Sequence, residues 1–148
     1  MPMLDIASKI NSPIPGSVTV LVDGKVLLRD AALNQDLRLA FAHDCTRQIH
    51  EFELRLSGKR TWLDGLQGYA LDQAIQQGYY LDYLRFDGVN VYPLIHQQGG
   101  YWHDYNGFGD ITRDSVDRDM GCDGSLKFRF VTPMASWMIE SFPHGCSN

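Results

Sequence analysis

The densest concentration of ligand-type side chains lies at positions 96–124. Tyr101, Trp102, His103, Asp104, Tyr105 and Asn106 follow one another, with Phe108 and Asp110 close behind. Aromatic faces mixed with carboxylate and amide groups suit a sugar ring, apolar on one face and edged by hydroxyls, and equally suit a protein hot spot. Gly99, Gly100, Gly107 and Gly109 interrupt the run and mark it as loop, where side chains are free to meet a ligand. The segment reads as a binding loop whose contact residues are Tyr101, Trp102, His103, Asp104, Tyr105, Asn106 and Asp110. The competing reading makes 101–105 one more strand, with Trp102 buried beneath a helix.

The same stretch continues into Asp114, Asp117, Asp119 and Asp123, an oxygen density that suits a hard cation. Asp117, Asp119 and Asp123 are the candidate ligands for Ca²⁺. Their spacing is not that of an EF-hand loop, since the sixth position from Asp117 holds Cys122 where that loop needs glycine. The bland alternative is a solvated acidic loop of turn-forming aspartates.

Catalytic spacing is sparse. His96, His103 and Asp104 could serve a small metal-assisted hydrolase or isomerase, and His43, Asp44, His50, Glu51 and Glu53 form a second polar group. No HExxH pair, GxSxG elbow or phosphate-binding glycine loop is present. Cys45 lies near His43 and His50 in sequence, but a thiolate needs a positive neighbour to lower its pKa, and Cys45 reads equally as a buried small hydrophobe. The reading therefore favours a non-catalytic module that binds a carbohydrate or a protein surface over an enzyme. A third reading, an acidic immunity or inhibitor protein or one half of a secreted toxin pair, rests on size and charge.

The bounds agree with a packed protein. The chain has 148 residues, 44% hydrophobic and 21% charged, enough for one globular domain spanning 1–148. A net charge of −5 with no basic stripe argues against nucleic acid as a partner. Apolar runs are short and broken by charge, so no transmembrane helix is expected. The opening residues lack a basic start followed by an apolar run, which predicts a cytoplasmic or signal-less secreted protein. Cys45, Cys122 and Cys146 are odd in number and widely spaced, and read as thiols, with a Cys122–Cys146 bridge open to an extracellular protein.

The positioning elements are hairpins. Asp23-Gly24, Ser57-Gly58 and Asp87-Gly88 each separate residue runs that read as strands, and tight two-residue turns need the positive φ that glycine tolerates. Asp123-Gly124 precedes Leu126, Phe128 and Phe130, which alternate with Lys127 and Arg129 as a half-buried strand does. Leu37, Leu39, Phe41 and His43 alternate likewise. Leu66, Ala70, Leu71, Ala74 and Ile75 predict an amphipathic helix over 66–77, with Asp64 as N-cap, Gly78 as left-handed C′ residue and the apolar stripe on the sheet. Positions 136–142 read as a last strand with Trp137 and Ile139 inward, stopped by Pro143. Positions 1–16 read as an extension or short helix. The sum is a mainly β (α+β) protein, an antiparallel sandwich or open barrel of hairpins with one central amphipathic helix.

Overall fold

The computed structural model describes residues 2–141. β1 (Met3–Asn11), β2 (Ser17–Val22), β3 (Lys25–Ala32), β4 (Leu37–Ala42) and β5 (Gln48–Ser57) come first, followed by two short helices, α1 (Lys59–Asp64) and α2 (Gly68–Ile75). Next come β6 (Tyr79–Phe86), β7 (Val89–Asn90), α3 (Tyr92–Gln98), β8 (Gly100–His103) and a 3₁₀ turn (Tyr105–Gly107). β9 (Thr112–Asp114), β10 (Asp119–Met120), β11 (Gly124–Thr132) and α4 (Met134–Ser141) complete the described chain. One sheet runs β10-β6-β1-β4 with β7 beside β6, and the other runs β3-β2-β5-β11-β8-β9. All the pairings are antiparallel, and the two sheets pack as a β-sandwich.

Period-two alternation builds the interior. Phe52, Leu54 and Leu56 of β5 and Leu126, Phe128 and Phe130 of β11 are buried, while Arg55 and Arg129 between them are exposed. From the opposite sheet Phe86 of β6 meets them, its ring centroid 5.6 Å from Phe52 and 5.7 Å from Phe128. Burying each such side chain contributes about 1.5–3 kcal/mol, so this aromatic cluster joins the two layers.

Two of the expected hairpin turns form, although the strand read over 89–92 is only Val89–Asn90 and Tyr92 begins α3. Asp23 and Gly24 have φ of 53° and 79°, and Asp87 and Gly88 have 51° and 79°. Each turn aspartate has a second use. Asp23 exchanges backbone and side-chain hydrogen bonds with Glu51 of β5, and Asp87 does the same with Asp5 of β1. The turns are thereby pinned to the neighbouring strand.

Ser57-Gly58 is not a hairpin. Gly58 takes φ 121° at the N-terminus of α1, and 59–63, read as a strand, is helical. A Cβ on Gly58 would stand 2.5 Å from the Cα of Gly16, so the chain crosses itself too closely for any side chain. The helix expected over 66–77 forms as the shorter α2, 68–75, but with Gln67 at its N-cap position, while Asp64 ends the separate helix α1. Its apolar stripe does not lie on the sheet: of α2 only Ala74 is buried, and Ile75 is 52% exposed. Gly78 is needed for a close approach, 2.8 Å from a would-be Cβ to the Met120 carbonyl oxygen, and not for a left-handed φ.

Both ends of the described chain also depart from expectation. Met3–Asn11 is no extension or helix but an interior strand, paired with β4 on one side and β6 on the other. Leu4, Ile6, Ser8 and Ile10 alternate inward, a pattern that outweighs helix propensity once two partners are in place. The expected last strand is helix α4, in which Trp137 turns inward, stacking on Phe128, while Ile139 is exposed. Phe142, Pro143 and Cys146 lie outside the described residues, as does therefore one member of the Cys122–Cys146 bridge. No helix among the described residues is long and apolar enough to cross a membrane.

Candidate functional site

β8 divides the expected binding residues between two faces, because successive side chains on a strand point oppositely. Tyr101 and His103 turn inward and are buried, whereas Trp102 lies on the outer face beside its ladder partners Ser125 and Arg113. The Tyr101 hydroxyl donates to the Cys122 carbonyl, and burial pushes that phenol well up. His103 accepts the Tyr105 backbone N–H at Nδ1, so its ring proton sits on Nε2 and is donated to Asp114. Trp102 has the Arg113 guanidinium 5.3 Å and the Lys127 ammonium 5.4 Å from its ring centre.

After β8 the chain folds into a tight crest. Tyr105, Asn106 and Gly107 take φ of 56°, 58° and 94°, three left-handed residues in succession. For a tyrosine this conformation is strained. Hydrogen bonds hold it: the Asp104 carboxylate accepts the Gly107 N–H, the Asp104 carbonyl accepts the N–H of Gly107 and Gly109, and Asn106 Oδ1 accepts the Asp123 N–H at 2.9 Å. Asp110 is exposed and only its carbonyl is engaged, by Thr112. Phe108, at 89% exposure, and Ile111, at 77%, project into solvent.

Beneath the crest lies a buried polar group that sequence reading did not assemble. Asp123 Oδ1 accepts the Lys59 N–H at 2.9 Å and the Tyr79 hydroxyl at 2.6 Å, while Oδ2 accepts the Arg60 N–H at 3.0 Å. The carboxylate thus caps the N-terminus of α1 from another part of the chain. Lys59, 3% exposed, gives its three ammonium protons to the carbonyls of Ile75, Gln77 and Gly121. Burial lowers the Lys59 pKa and raises that of Cys122; burial and then the Asp123 hydrogen bond drive the Tyr79 phenol far above its usual range.

These engagements settle several expectations. Asp123 faces α1 and Tyr79 with both oxygens accepting hydrogen bonds, and it forms no metal-holding group with Asp117 and Asp119. Among the described residues no three His, Cys, Asp or Glu side chains form a metal-holding group. His96 is separate from His103 and Asp104 in its bonding, its Nδ1 2.6 Å from the Val116 carbonyl oxygen. In the other polar group, His50 Nδ1 is 2.7 Å from Asp23 Oδ2 and Nε2 is 2.9 Å from Thr132 Oγ1. That order of groups activates a hydroxyl in hydrolases. Here Thr132 is 0% exposed and the imidazole lies close to the Phe41 and Phe130 rings, so the array ties the β2–β3 turn to β11. His43 Nδ1 contacts the Asp44 carbonyl, Glu53 pairs with Arg55, and Cys45 is an exposed thiol.

No family model, curated protein or solved structure matches this chain. Function must therefore be argued from surface shape and chemistry. Three depressions meet at the crest. One, of about 460 Å³, is walled by Tyr101, His103, Tyr105 and the acids Asp114, Asp117 and Asp119. A second, of about 380 Å³, lies between Phe108 and the helix residues Leu63, Leu71 and Ile75. The third, of about 490 Å³, runs from Asn106 and Ile111 across Trp102 to Arg55, Arg60 and Lys127. Arg60, Lys127 and the outward face of α2 were not among the expected site residues. They reach the crest only through tertiary packing, and the outward Lys127 of an alternating strand was the one signal that placed any of them at a surface.

Proposed function

We propose that this protein is a non-catalytic binding module that recognises a partner protein through the 104–111 crest and the depressions around it. The observation that carries the reading is the crest itself, where Tyr105, Phe108 and Ile111 stand in water on a backbone held in left-handed conformations by its own hydrogen bonds. Strain maintained in an exposed loop, next to large apolar side chains, favours recognition over packing. A protein ligand fits better than a sugar. The Trp102 ring, the natural stacking platform for a pyranose, already has Arg113 and Lys127 against it, whereas Phe108 and Ile75 flank an apolar cleft of side-chain size.

The test is differential capture from a native extract by the full chain and by a Phe108→Ala/Ile111→Ser double variant, with a glycan array in parallel. The expected result is one partner retained by the parent chain and lost by the variant while the two melt at the same temperature. A partner held equally by both would remove the crest from the interface, and a reproducible glycan signal without any protein partner would replace this reading by the carbohydrate one.

A further inference from the structure

The outer face of the sheet around Trp102 carries a charge pattern opposite to that of the whole chain. Across β9, β8, β11 and β5 one rung of the ladder reads Arg113, Trp102, Ser125, Arg55, and the next reads Gly100, Lys127, Glu53 across β8, β11 and β5. Gly100 leaves room for the indole: a Cβ there would stand 2.8 Å from Trp102 Cζ3. Glu53, opposite Lys127, is consumed by Arg55 and by the Ser125 hydroxyl. Among the described residues Lys127 is left with the indole face and no carboxylate. Arg129 stands opposite Glu51 without closing to an ion pair, and Arg60, at the head of α1, likewise forms none among the described residues. A chain of net charge −5 thus sets Arg60 and Lys127, neither ion-paired among the described residues, along the groove, with Arg129 in an adjoining depression that shares Trp102 and Lys127.

Resting on the protein-binding reading above, we infer that the partner segment lying in this groove is acidic: a peptide stretch of clustered Asp and Glu, with an apolar side chain set against Ile111, paired to Arg60 and Lys127 and reaching Arg129 in the adjoining depression. Complementary charge is the warrant, since ion pairs across an interface set register and speed encounter. The overall negative field does not prevent it, because at physiological salt charges more than about 8 Å apart are largely screened and the local cations decide. Glu51, Glu53 and Asp104 interleave with the cations, which disfavours a uniform polyanion such as nucleic acid and favours a ligand of mixed character. The exposed Ile111 beside the half-buried indole supplies the apolar anchor point that a simple anion would leave unused.

The experiment is display selection of random dodecapeptides on the immobilised full chain, followed by titration of the best synthetic peptide. Enriched peptides are expected to carry Asp or Glu clusters around one aromatic or leucine residue. Their affinity is expected to fall about tenfold in Lys127→Glu and in Arg60→Glu, and to weaken with added salt. Melting temperatures of both variants, compared with the parent, separate lost binding from lost folding, and Lys127→Gln gives a milder charge removal should the reversal unfold the chain. Enriched peptides that are apolar, acid-free and indifferent to both reversals would overturn the acidic partner and leave the protein-binding reading standing. Absence of any enriched peptide, with a sulfated glycan or single-stranded oligonucleotide binding through Arg60 and Lys127 instead, would overturn both.

Discussion

The buried group around Asp123 and the exposed crest above it are built from similar residues used in opposite ways. Below, Asp123, Lys59 and Tyr79 bond one another and the backbone, and among the described residues no buried side-chain polar atom lacks a partner. Above, Asp104 shapes the loop and Asn106 ties it to Asp123, so that Phe108 and Ile111 are presented to water with no described residue covering them. A satisfied, buried polar group stabilises a scaffold; an uncovered apolar one is available to a partner. Adjacent residues show the contrast at its sharpest. Lys59 and Arg60 read as one basic pair in sequence, yet the first is sealed beneath the crest and the second opens onto the groove.

The largest expected effect that would break this comparison is at Asp123. Asp123→Ala strands the N–H groups of Lys59 and Arg60 and the Tyr79 hydroxyl, and is expected to cost about 3 kcal/mol in chemical denaturation, against less than about 0.5 kcal/mol for Phe108→Ala. Equal losses would mean that the crest is part of the scaffold. Lys59→Met leaves three carbonyls without their charged donor and is expected to cost about 2–3 kcal/mol, while Arg60→Met leaves the midpoint nearly unchanged. Gly58→Ala is expected to lower stability by about 2 kcal/mol, since it combines an unfavourable positive φ with a clash against Gly16.

The smallest effect is alkaline. Tyr79, Tyr101 and Cys122 have folded-state pKa values raised chiefly by burial, so the stability they contribute is whole below the usual thiol and phenol values of 9.0 and 10.0 and falls as pH rises past them. Lys59 acts with the opposite sign, because its folded pKa is depressed and stability gains as pH approaches 10.5. With these three and Tyr83, whose phenol is raised chiefly by its hydrogen bond to Asp36, against one, the melting temperature is expected to fall above about pH 10, and Tyr79→Phe to make that fall shallower in a pH series of melts. A melting temperature that climbs steadily to pH 11 would show that relief of the buried ammonium dominates.

The sandwich was legible wherever a turn and an alternating run sat side by side, as at Asp23-Gly24 and along Leu126, Phe128 and Phe130. It was illegible wherever a distant residue decided the outcome. Ser57-Gly58 has the composition of a hairpin, but the cap for the helix it begins is Asp123, and the close neighbour that demands glycine is Gly16. The helix stripe at 70–75 was visible, yet α2 turns most of it to solvent because the strand faces nearby are already filled by one another. At the site, contiguous residues were read as acting together, while a strand must send Tyr101 and His103 to one side and Trp102 to the other. Arg60 and Lys127 complete the groove from other elements, and only their arrival gives it a sign.

The placement of β1 has a consequence for how the chain comes to be folded. Its Ile6 registers against Leu39 on one flank and Phe86 on the other. While the polypeptide is still emerging from a ribosome, β1 can zip to β4 but must wait with its other edge bare until β6 has been synthesised. During that interval its alternating Leu4, Ile6 and Ile10 are held by one neighbour alone, which leaves this strand open to chaperone capture or to mispairing with a second nascent copy.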